Sequence, residues 1–249
     1  MDKIPILSNF SQTFTTVSSV EENAAINHLS ISHQHIRYSE VAILERGLSN
    51  INTPLGNSWN VIIKRGFDIL ISLVLIAAIL SWLIPLLAIL IKLDSRGPVF
   101  FLQKRNKDGG RLFTCIKFRS MFVNKEADIL VACENDKRIT RFGKFLRKCH
   151  IDELPQLINV LIGDMSIIGP RPHMVSENII YGNLFREYDF RHSVRPGITG
   201  LAQSYGNFGA TTDLEKVKER IVFDIQYISS WSLKMDIKIL YRTFLLMLG

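Results

Sequence analysis

Cysteine is scarce in this 249-residue chain: Cys115, Cys133 and Cys149 are its only three, an odd number with no C-x-x-C spacing. A disulfide framework and a zinc site are both disfavoured by that pattern, which fits a reducing, cytoplasmic setting. The first residues lack an apolar run followed by a cleavage site, so no secretory signal is expected. His28, His33 and His35 are scattered without cysteines or clustered acids around them, and they read as solvated rather than metal-ligating. No nucleic-acid module or aromatic stacking platform is recognisable, so nucleic acid is not an expected partner.

One more thing is missing, and locally: from Ile69 to Ile91 there is no charged residue over 23 positions. Such a run is long enough to cross a bilayer as a helix. Leu, Ile and Val surround its whole circumference, which favours lipid over a protein core. Lys64 and Arg65 precede the run, and Lys92, Arg96, Lys104 and Arg105 follow it. Cations mark the cytoplasmic side of a membrane segment, and here both ends carry them. A helix that enters, breaks and returns to the same face removes the conflict and is preferred to a straight span. Pro85 supplies the break, with Ser81 or Trp82 placed to re-satisfy the freed backbone.

Charge is unequal along the chain. The net charge is +7, yet residues 1–60 hold only Lys3, Arg37 and Arg46 against Asp2, Glu21, Glu22, Glu40 and Glu45. That segment, rich in Ser, Thr, Asn and Gln, is expected to be a mobile polar tail. The rest is strongly basic, suited to an anionic membrane surface or to phosphates. The expected organisation is a tail over 1–60, a re-entrant membrane hairpin over 61–96 and a cytoplasmic, membrane-associated domain over 97–249. The expected fold class is α+β, mostly helical, with one small β-hairpin.

That hairpin is Val99–Gln103 and Leu112–Phe118, joined by a turn at Lys107-Asp108-Gly109-Gly110. Lys117 and Arg119 leave the second strand on one face if the strand continues, either as a solvated edge or as the wall of a site. Residues 124–150 read as a polar helix ending in a basic run. A second helix follows with Leu157, Ile158, Leu161 and Ile162 at helical spacing and Gly163 as its cap. Between them stand two adjacent carboxylates, Asp152 and Glu153, just ahead of Pro155. Proline is tolerated in a first helical turn, so the pair is expected at a helix N-terminus, where anions are favoured. For a bare Asp-Glu pair, capping is the commoner reason. Arg147 before it and Arg171, held between two prolines after it, add the ingredients of phosphate chemistry. Cys149 and His150, as sequence neighbours, point apart and do not form a nucleophile–base pair. The loop Arg195–Gln203 says little by itself. Leu214, Val217, Ile221, Ile225 and Ile228 mark an amphipathic helix. A last helix sets Leu233, Ile237, Leu240, Phe244 and Leu248 opposite Lys234, Lys238 and Arg242, which suits either a membrane interface or packing on the core.

Taken in order, these blocks resemble one family. Lys64-Arg65-Gly66-Phe67-Asp68, Gly97-Pro98-Val99-Phe100-Phe101, Lys117-Phe118-Arg119-Ser120-Met121, Asp152-Glu153-Leu154-Pro155-Gln156-Leu157, Asn159-Val160 with Gly163-Asp164-Met165-Ser166, Gly169-Pro170-Arg171-Pro172 and Arg195–Gly200 are similar to the bacterial sugar transferases. These are the monotopic polyprenyl-phosphate phosphoglycosyl transferases that begin exopolysaccharide and glycoconjugate assembly. The resemblance implies transfer of a phosphosugar from a UDP-sugar to polyprenyl phosphate at the cytoplasmic face of the inner membrane. It implies Asp152 as nucleophile and Glu153 as ligand of Mg²⁺. Arg147, Arg171, Lys117 and Arg119 would then contact phosphate, and Asp164, Arg195 and Gln203 would border the nucleotide or lipid-phosphate pocket. The chain departs from the family where Ser81 and Pro85 are separated by Trp82-Leu83-Ile84, since Ser-Pro is often adjacent there. The competing reading is a catalytically idle membrane-surface partner of a polysaccharide assembly complex. A homo-oligomer is left open by the apolar last helix, and the sugar is not legible.

Overall fold

A computed structural model describes residues 53–124, 126, 136–209, 211 and 213–248. Most of the tail expected over 1–60, with its histidines and Cys133, lies outside the described residues. Helices dominate what is described, with two small two-stranded sheets between them.

The chain enters through a 3-10 turn at Pro54–Gly56 and then a helical run from Ser58 to Asp94, 37 residues long. The run has two arms, α1 (Ser58–Leu75) and α2 (Ser81–Asp94), joined by a π-helical turn at Ile76–Leu80. The irregularity expected at Pro85 therefore lies upstream of it. Proline removes an N–H and crowds the preceding turn, and a widened turn on its N-terminal side relieves that crowding without ending the helix. The Ser81 hydroxyl donates to the Ala77 carbonyl at 2.8 Å and the Trp82 indole N–H to the Ala78 carbonyl at 2.9 Å. Both bonds reinforce the backbone of the π turn.

One face of this run packs against the rest of the protein. Lys64, Asp68, Ser72 and Leu80 are buried, as are Leu87 and Ile91 farther on. Near the first arm the contacts are polar and complete. Lys64 Nζ pairs with Asp236 Oδ2 at 2.9 Å, and Asp236 also accepts from Tyr227 and Trp231. Asp68 Oδ1 accepts from the Ser166 hydroxyl and the Ile167 N–H, each at 2.9 Å. Arg65 donates to the Val160 and Leu161 carbonyls, which lie at the C-terminal end of a later helix. The opposite face exposes Trp59, Ile62, Leu70, Leu73, Val74, Trp82, Ile89 and Leu93.

Strands β1 (Phe100–Asn106) and β2 (Leu112–Phe118) form the expected antiparallel hairpin, with Phe101 opposite Lys117 and Gln103 opposite Cys115. Gly109 and Gly110 make its turn at φ 66° and 70°. The helix expected over 124–150 is α3 (Arg141–Lys148) alone among the described residues, capped by the Thr140 hydroxyl. Asp136–Thr140 instead forms a turn and a bridge from Ile139 to Met121. The chain then makes a 3-10 turn at Ile151–Glu153 and continues as α4 (Gln156–Ile162), ended by Gly163 at φ 93°.

β3 (Ser166–Ile168) pairs in parallel with β4 (Gly197–Thr199), which lies inside the loop that read only as a loop. The two backbones interlock, with the Gly169 N–H donating to the Thr199 carbonyl and the Gly197 N–H to the Pro170 carbonyl, both at 2.9 Å. A Cβ on Gly197 would lie 2.1 Å from the Gly169 nitrogen, so only glycine permits this approach. Between the strands lie α5 (Val175–Leu184) and a 3-10 stretch at Tyr188–Ser193; after them come α6 (Leu201–Ser204), α7 (Leu214–Ser230) and α8 (Leu233–Leu248). α8 packs on the core along one face and leaves an apolar face exposed on another. Asp236 and Ile239 are buried, while Ile237, Tyr241, Phe244 and Leu245 are exposed.

Two apolar cores result. One gathers Leu157, Val160, Met165, Ile167, Ile168, Phe223, Tyr227, Ile228 and Ile239, with Phe67, Ile71 and Leu75 of α1 packed on it. The other joins Leu80, Leu87 and Ile91 to Phe118 and Leu146. The acidic turn lies at the edge of the second core, where Ile151 and Leu154 pack.

Candidate active site

Asp152 and Glu153 open into a cavity of about 410 Å³. Its lining brings together Arg105 and Lys117 from the hairpin, Arg147 from α3, Arg171 from the Pro-Arg-Pro loop and Arg220 from α7. Against these five cations stand three carboxylates, Asp152, Glu153 and Glu177. Net positive charge in a partly enclosed space concentrates anions.

The two acids are treated very differently. Glu153 Oε1 accepts from Lys117 Nζ at 2.7 Å and Arg171 Nη2 at 2.5 Å, and Oε2 accepts from Arg171 Nη1 at 2.9 Å. Burial pushes its carboxyl up, but Arg171 and Lys117 outweigh that and hold it well below the ordinary range. Asp152 is buried and takes no hydrogen bond from any described side chain or backbone N–H. Its carboxyl is pushed up, first by burial and then by Glu153 beside it, with Lys117, Arg147 and Arg171 opposing. Neither acid caps α4, so the capping explanation does not apply. The residue before the turn, His150, has φ 55°, and no other non-glycine described has a positive φ. That left-handed kink is a local strain of the kind found where a side chain must be aimed.

Arg147 is placed by packing. Gly143 lies one turn earlier on α3, and a Cβ there would lie 1.9 Å from the Ser120 carbonyl. The close approach lets Arg147 Nε donate to the Ser120 hydroxyl at 2.9 Å. Its terminal N–H groups have no partner among the described residues, leaving a planar fork available to an oxyanion. Arg171 is held from behind: Arg191 Nη2 donates to its carbonyl at 2.7 Å and Arg105 Nη1 to that of Pro172 at 3.0 Å. Arg191 is buried and paired with Asp224 at 2.8 Å. Arg191 Nη1 also lies 2.6 Å from His173 Nδ1. A guanidinium only donates, so Nδ1 accepts and the His173 ring is neutral. Burial and the Arg191 charge push its pKa well below the usual value.

Of the residues singled out from the sequence, Asp152, Glu153, Arg147, Arg171, Lys117 and Gln203 line the cavity. Gln203 Nε2 donates to the Ile198 carbonyl, and its buried Oε1 has no partner. Three others are elsewhere. Arg119 caps the end of α2 through the Ser95, Arg96 and Pro98 carbonyls and the Ser95 hydroxyl. β2 ends at Phe118, so the alternation that would have put Arg119 beside Lys117 has already stopped. Asp164 pairs with Lys107 at 2.5 Å and ties the hairpin turn to the loop after α4. Arg195 lies outside the lining, near enough to Arg65 for the two charges to interact. Arg105, Arg220, His173 and Glu177 are among the cavity residues that the sequence did not assign to the site. Arg105 alone carried a local signal: four residues after Phe101 on β1, it lies on the same sheet face as Lys117, the cross-strand partner of Phe101.

Residues 59–249 match the family model described as bacterial sugar transferase. The chain belongs to the bacterial sugar transferase family. Among relatives of this family, the UDP-glucose:undecaprenyl-phosphate glucose-1-phosphate transferase of Klebsiella pneumoniae is 46% identical over 193 residues, which are 77% of this chain and 41% of that protein. The UDP-N-acetylgalactosamine-undecaprenyl-phosphate N-acetylgalactosaminephosphotransferase of Aeromonas hydrophila is also 46% identical, over 73% of this chain and 42% of its own length. An exopolysaccharide production protein of Rhizobium leguminosarum bv. phaseoli is 41% identical over 74% of this chain and 94% of its own. The chain thus spans about two fifths of the length of the first two. Those two are equally similar to it while their names carry different sugars, so overall identity does not select a sugar.

Proposed function

We propose that this sugar transferase moves a phosphosugar from a UDP-sugar to undecaprenyl phosphate, in two steps through Asp152. The observation that carries this reading is the inequality of the two acids. Glu153 is occupied by Arg171 and Lys117, whereas Asp152 is buried at a cationic cavity with no internal partner. An unpartnered carboxylate among guanidinium groups is a nucleophile for phosphorus, and covalent catalysis divides one hard transfer into two.

In the first step an Asp152 oxygen attacks the sugar-bearing phosphorus. The bond from that phosphorus to the bridging oxygen breaks, and UMP leaves with that oxygen. In the second step a phosphate oxygen of undecaprenyl phosphate attacks the same phosphorus, the bond to Asp152 breaks, and the carboxylate is restored beside a polyprenyl diphosphosugar. Arg147 and Arg171 suit bidentate contact with the non-bridging oxygens, and Arg105 and Arg220 extend the cationic wall. Gln203 Oε1 offers an acceptor to a hydroxyl or imide of the donor.

The donor set also fits Mg²⁺. This ion takes one or two carboxylates together with substrate phosphates and water. Asp152 has its lone pairs free, and of the roughly four acceptor positions of Glu153 one remains, on Oε2. A bound Mg²⁺ would neutralise charge on the phosphates.

We place the long helix at the cytoplasmic face of the inner membrane with both ends on that face. At 1.5 Å per residue its 37 residues extend about 55 Å, well beyond a hydrocarbon core of about 30 Å. Its docked face recurs from Lys64 to Ile91, so no long stretch stands clear of the protein. Cysteines introduced at Asn57 and Ser95 are expected to label only from the cytoplasmic side; labelling from opposite sides would establish a straight span.

The reaction is tested by incubating the protein with UDP-sugars without acceptor and weighing the peptide that contains Asp152. A gain equal to one phosphosugar, chased off by undecaprenyl phosphate, is the expected result. An adduct on another residue, or turnover without one, removes Asp152 from the mechanism.

A further inference from the structure

The wall of the cavity is lopsided. Its cations come from β1, β2, α3, the Pro-Arg-Pro loop and α7 and its carboxylates from the acidic turn and α5, while one edge carries no charge: Ile198 of β4 with Thr243, Leu246 and Met247 of α8. No residue of the long helix Ser58–Asp94 lines the cavity. α8 therefore offers an apolar surface that reaches the charges of the acidic turn.

α8 is fixed at this edge from one side and open on the other. The Thr243 and Thr199 hydroxyls are 2.8 Å apart, and the Arg242 guanidinium lies 4.4 Å from the centre of the Tyr205 ring. Leu246 and Met247 are 50% and 54% exposed even though they border the cavity. Beyond them the exposed apolar face continues through Phe244, Leu245, Tyr241 and Ile237. An amphiphile with an anionic head and a long hydrocarbon tail needs these two surfaces in this order, cations first and an uninterrupted apolar strip after them. Of the other apolar lining residues, Phe101 and Met121 lead outward only through Phe122 and Val123 before Asn124 and Glu126, and the exposed Phe208 is followed by Gly209.

We propose that the isoprenoid chain of the acceptor leaves the cavity across Thr243, Leu246 and Met247 and runs along the outer face of α8. The chain then reaches the bilayer by α8 and not by the long helix. This rests on the two-step reaction proposed above and adds the route of the second substrate.

The test uses the full chain in lipid nanodiscs of phosphatidylethanolamine and phosphatidylglycerol, with undecaprenyl phosphate or the short-chain citronellyl phosphate as acceptor. For Leu246→Gln combined with Met247→Gln, the KM for undecaprenyl phosphate is expected to rise about tenfold, the scale of losing a few methylene contacts in an apolar site. The KM for citronellyl phosphate should move by less than about twofold, which also reports an intact fold. Leu112→Gln and Ile179→Gln, at exposed apolar residues outside both α8 and the cavity lining, should leave the ratio of the two KM values unchanged. An equal effect of those two variants, a loss alike for both acceptors, or a ratio altered by Met121→Gln and not by the α8 pair overturns the route. Wild-type protein that releases no UMP from any UDP-sugar with either acceptor overturns the reaction and the route with it. Normal wild-type turnover with an unmoved ratio in the α8 pair overturns the route alone.

Discussion

Buried charge is arranged in two ways in this protein. Where α1 docks, it is closed. Asp236 Oδ1 accepts from Tyr227 and Oδ2 from Lys64 and Trp231, and Asp68 is filled by Ser166 and Ile167. Around the acidic turn it is open, with Asp152, the fork of Arg147 and Gln203 Oε1 lacking partners. Both regions bear the desolvation cost of ionised groups. The first recovers it within the protein, and the second leaves part of it to be recovered by a charged ligand. A region of the first kind holds two elements in register; a region of the second kind is a site.

The sharpest break of this contrast is Asp152→Asn. Turnover should fall by at least about a thousandfold, as when other covalent nucleophiles are removed, while the melting temperature stays close to that of the wild type. UMP release assays and thermal melts check both halves, and retained activity would make Asp152 one more buried acid.

In the closed region the balance is reversed. Lys64→Met leaves Asp236 buried without its cation and should cost about 3–5 kcal/mol of stability. Denaturant unfolding measures this. A cost near zero would mean that the pair does not hold α1 in place.

Arg171→Lys probes the boundary between the two regions, because Arg171 both fills Glu153 and faces the cavity. Losing the fork should reduce kcat/KM about ten- to a hundredfold, equivalent to one bidentate charge-assisted contact. Steady-state kinetics at saturating acceptor give the value.

The pH profile refines the open region further. In the proposed mechanism Asp152 is ionised when it attacks, and burial and Glu153 raise its pKa. Adduct formation should therefore be complete at high pH and fall away as pH drops, with an apparent midpoint above the ordinary aspartate value of about 3.9. A midpoint below that value would show that the surrounding cations prevail.

The smallest effect is expected outside both regions. The Asp164–Lys107 pair is partly exposed, so Asp164→Asn should change stability by less than about 1 kcal/mol and leave the kinetics unaltered. A kinetic defect would move the edge of the site outward to the hairpin turn.

Much of the architecture could be read from local pattern. The hairpin and its glycine turn, the uncharged run, the amphipathic α7 and the acidic pair flanked by Arg147 and Arg171 follow from spacing and composition within a few residues. The places where structure and pattern differ share one cause. Arg119 would share the face of Lys117 only if the strand continued, and alternation ends with the strand at Phe118. Pro85 reads as the break, but the irregularity lies upstream of it, in a π turn braced by Ser81 and Trp82. Arg105, Arg220 and His173 are single polar residues on different elements, and no short-range pattern marks them as neighbours.

By itself, the sequence determined the family, the elements and the presence of two adjacent acids in a basic setting, because propensity and periodicity act over one or two turns. Only the tertiary structure decided which acid is free. Glu153 is filled by Lys117 and Arg171, which stand 36 and 18 residues away along the chain and arrive on a strand and a loop. Asp152, one residue earlier, faces the same cavity without such partners. Adjacent residues share a sequence context but not a direction, and the partners available in each direction are set by elements that meet only when the chain folds.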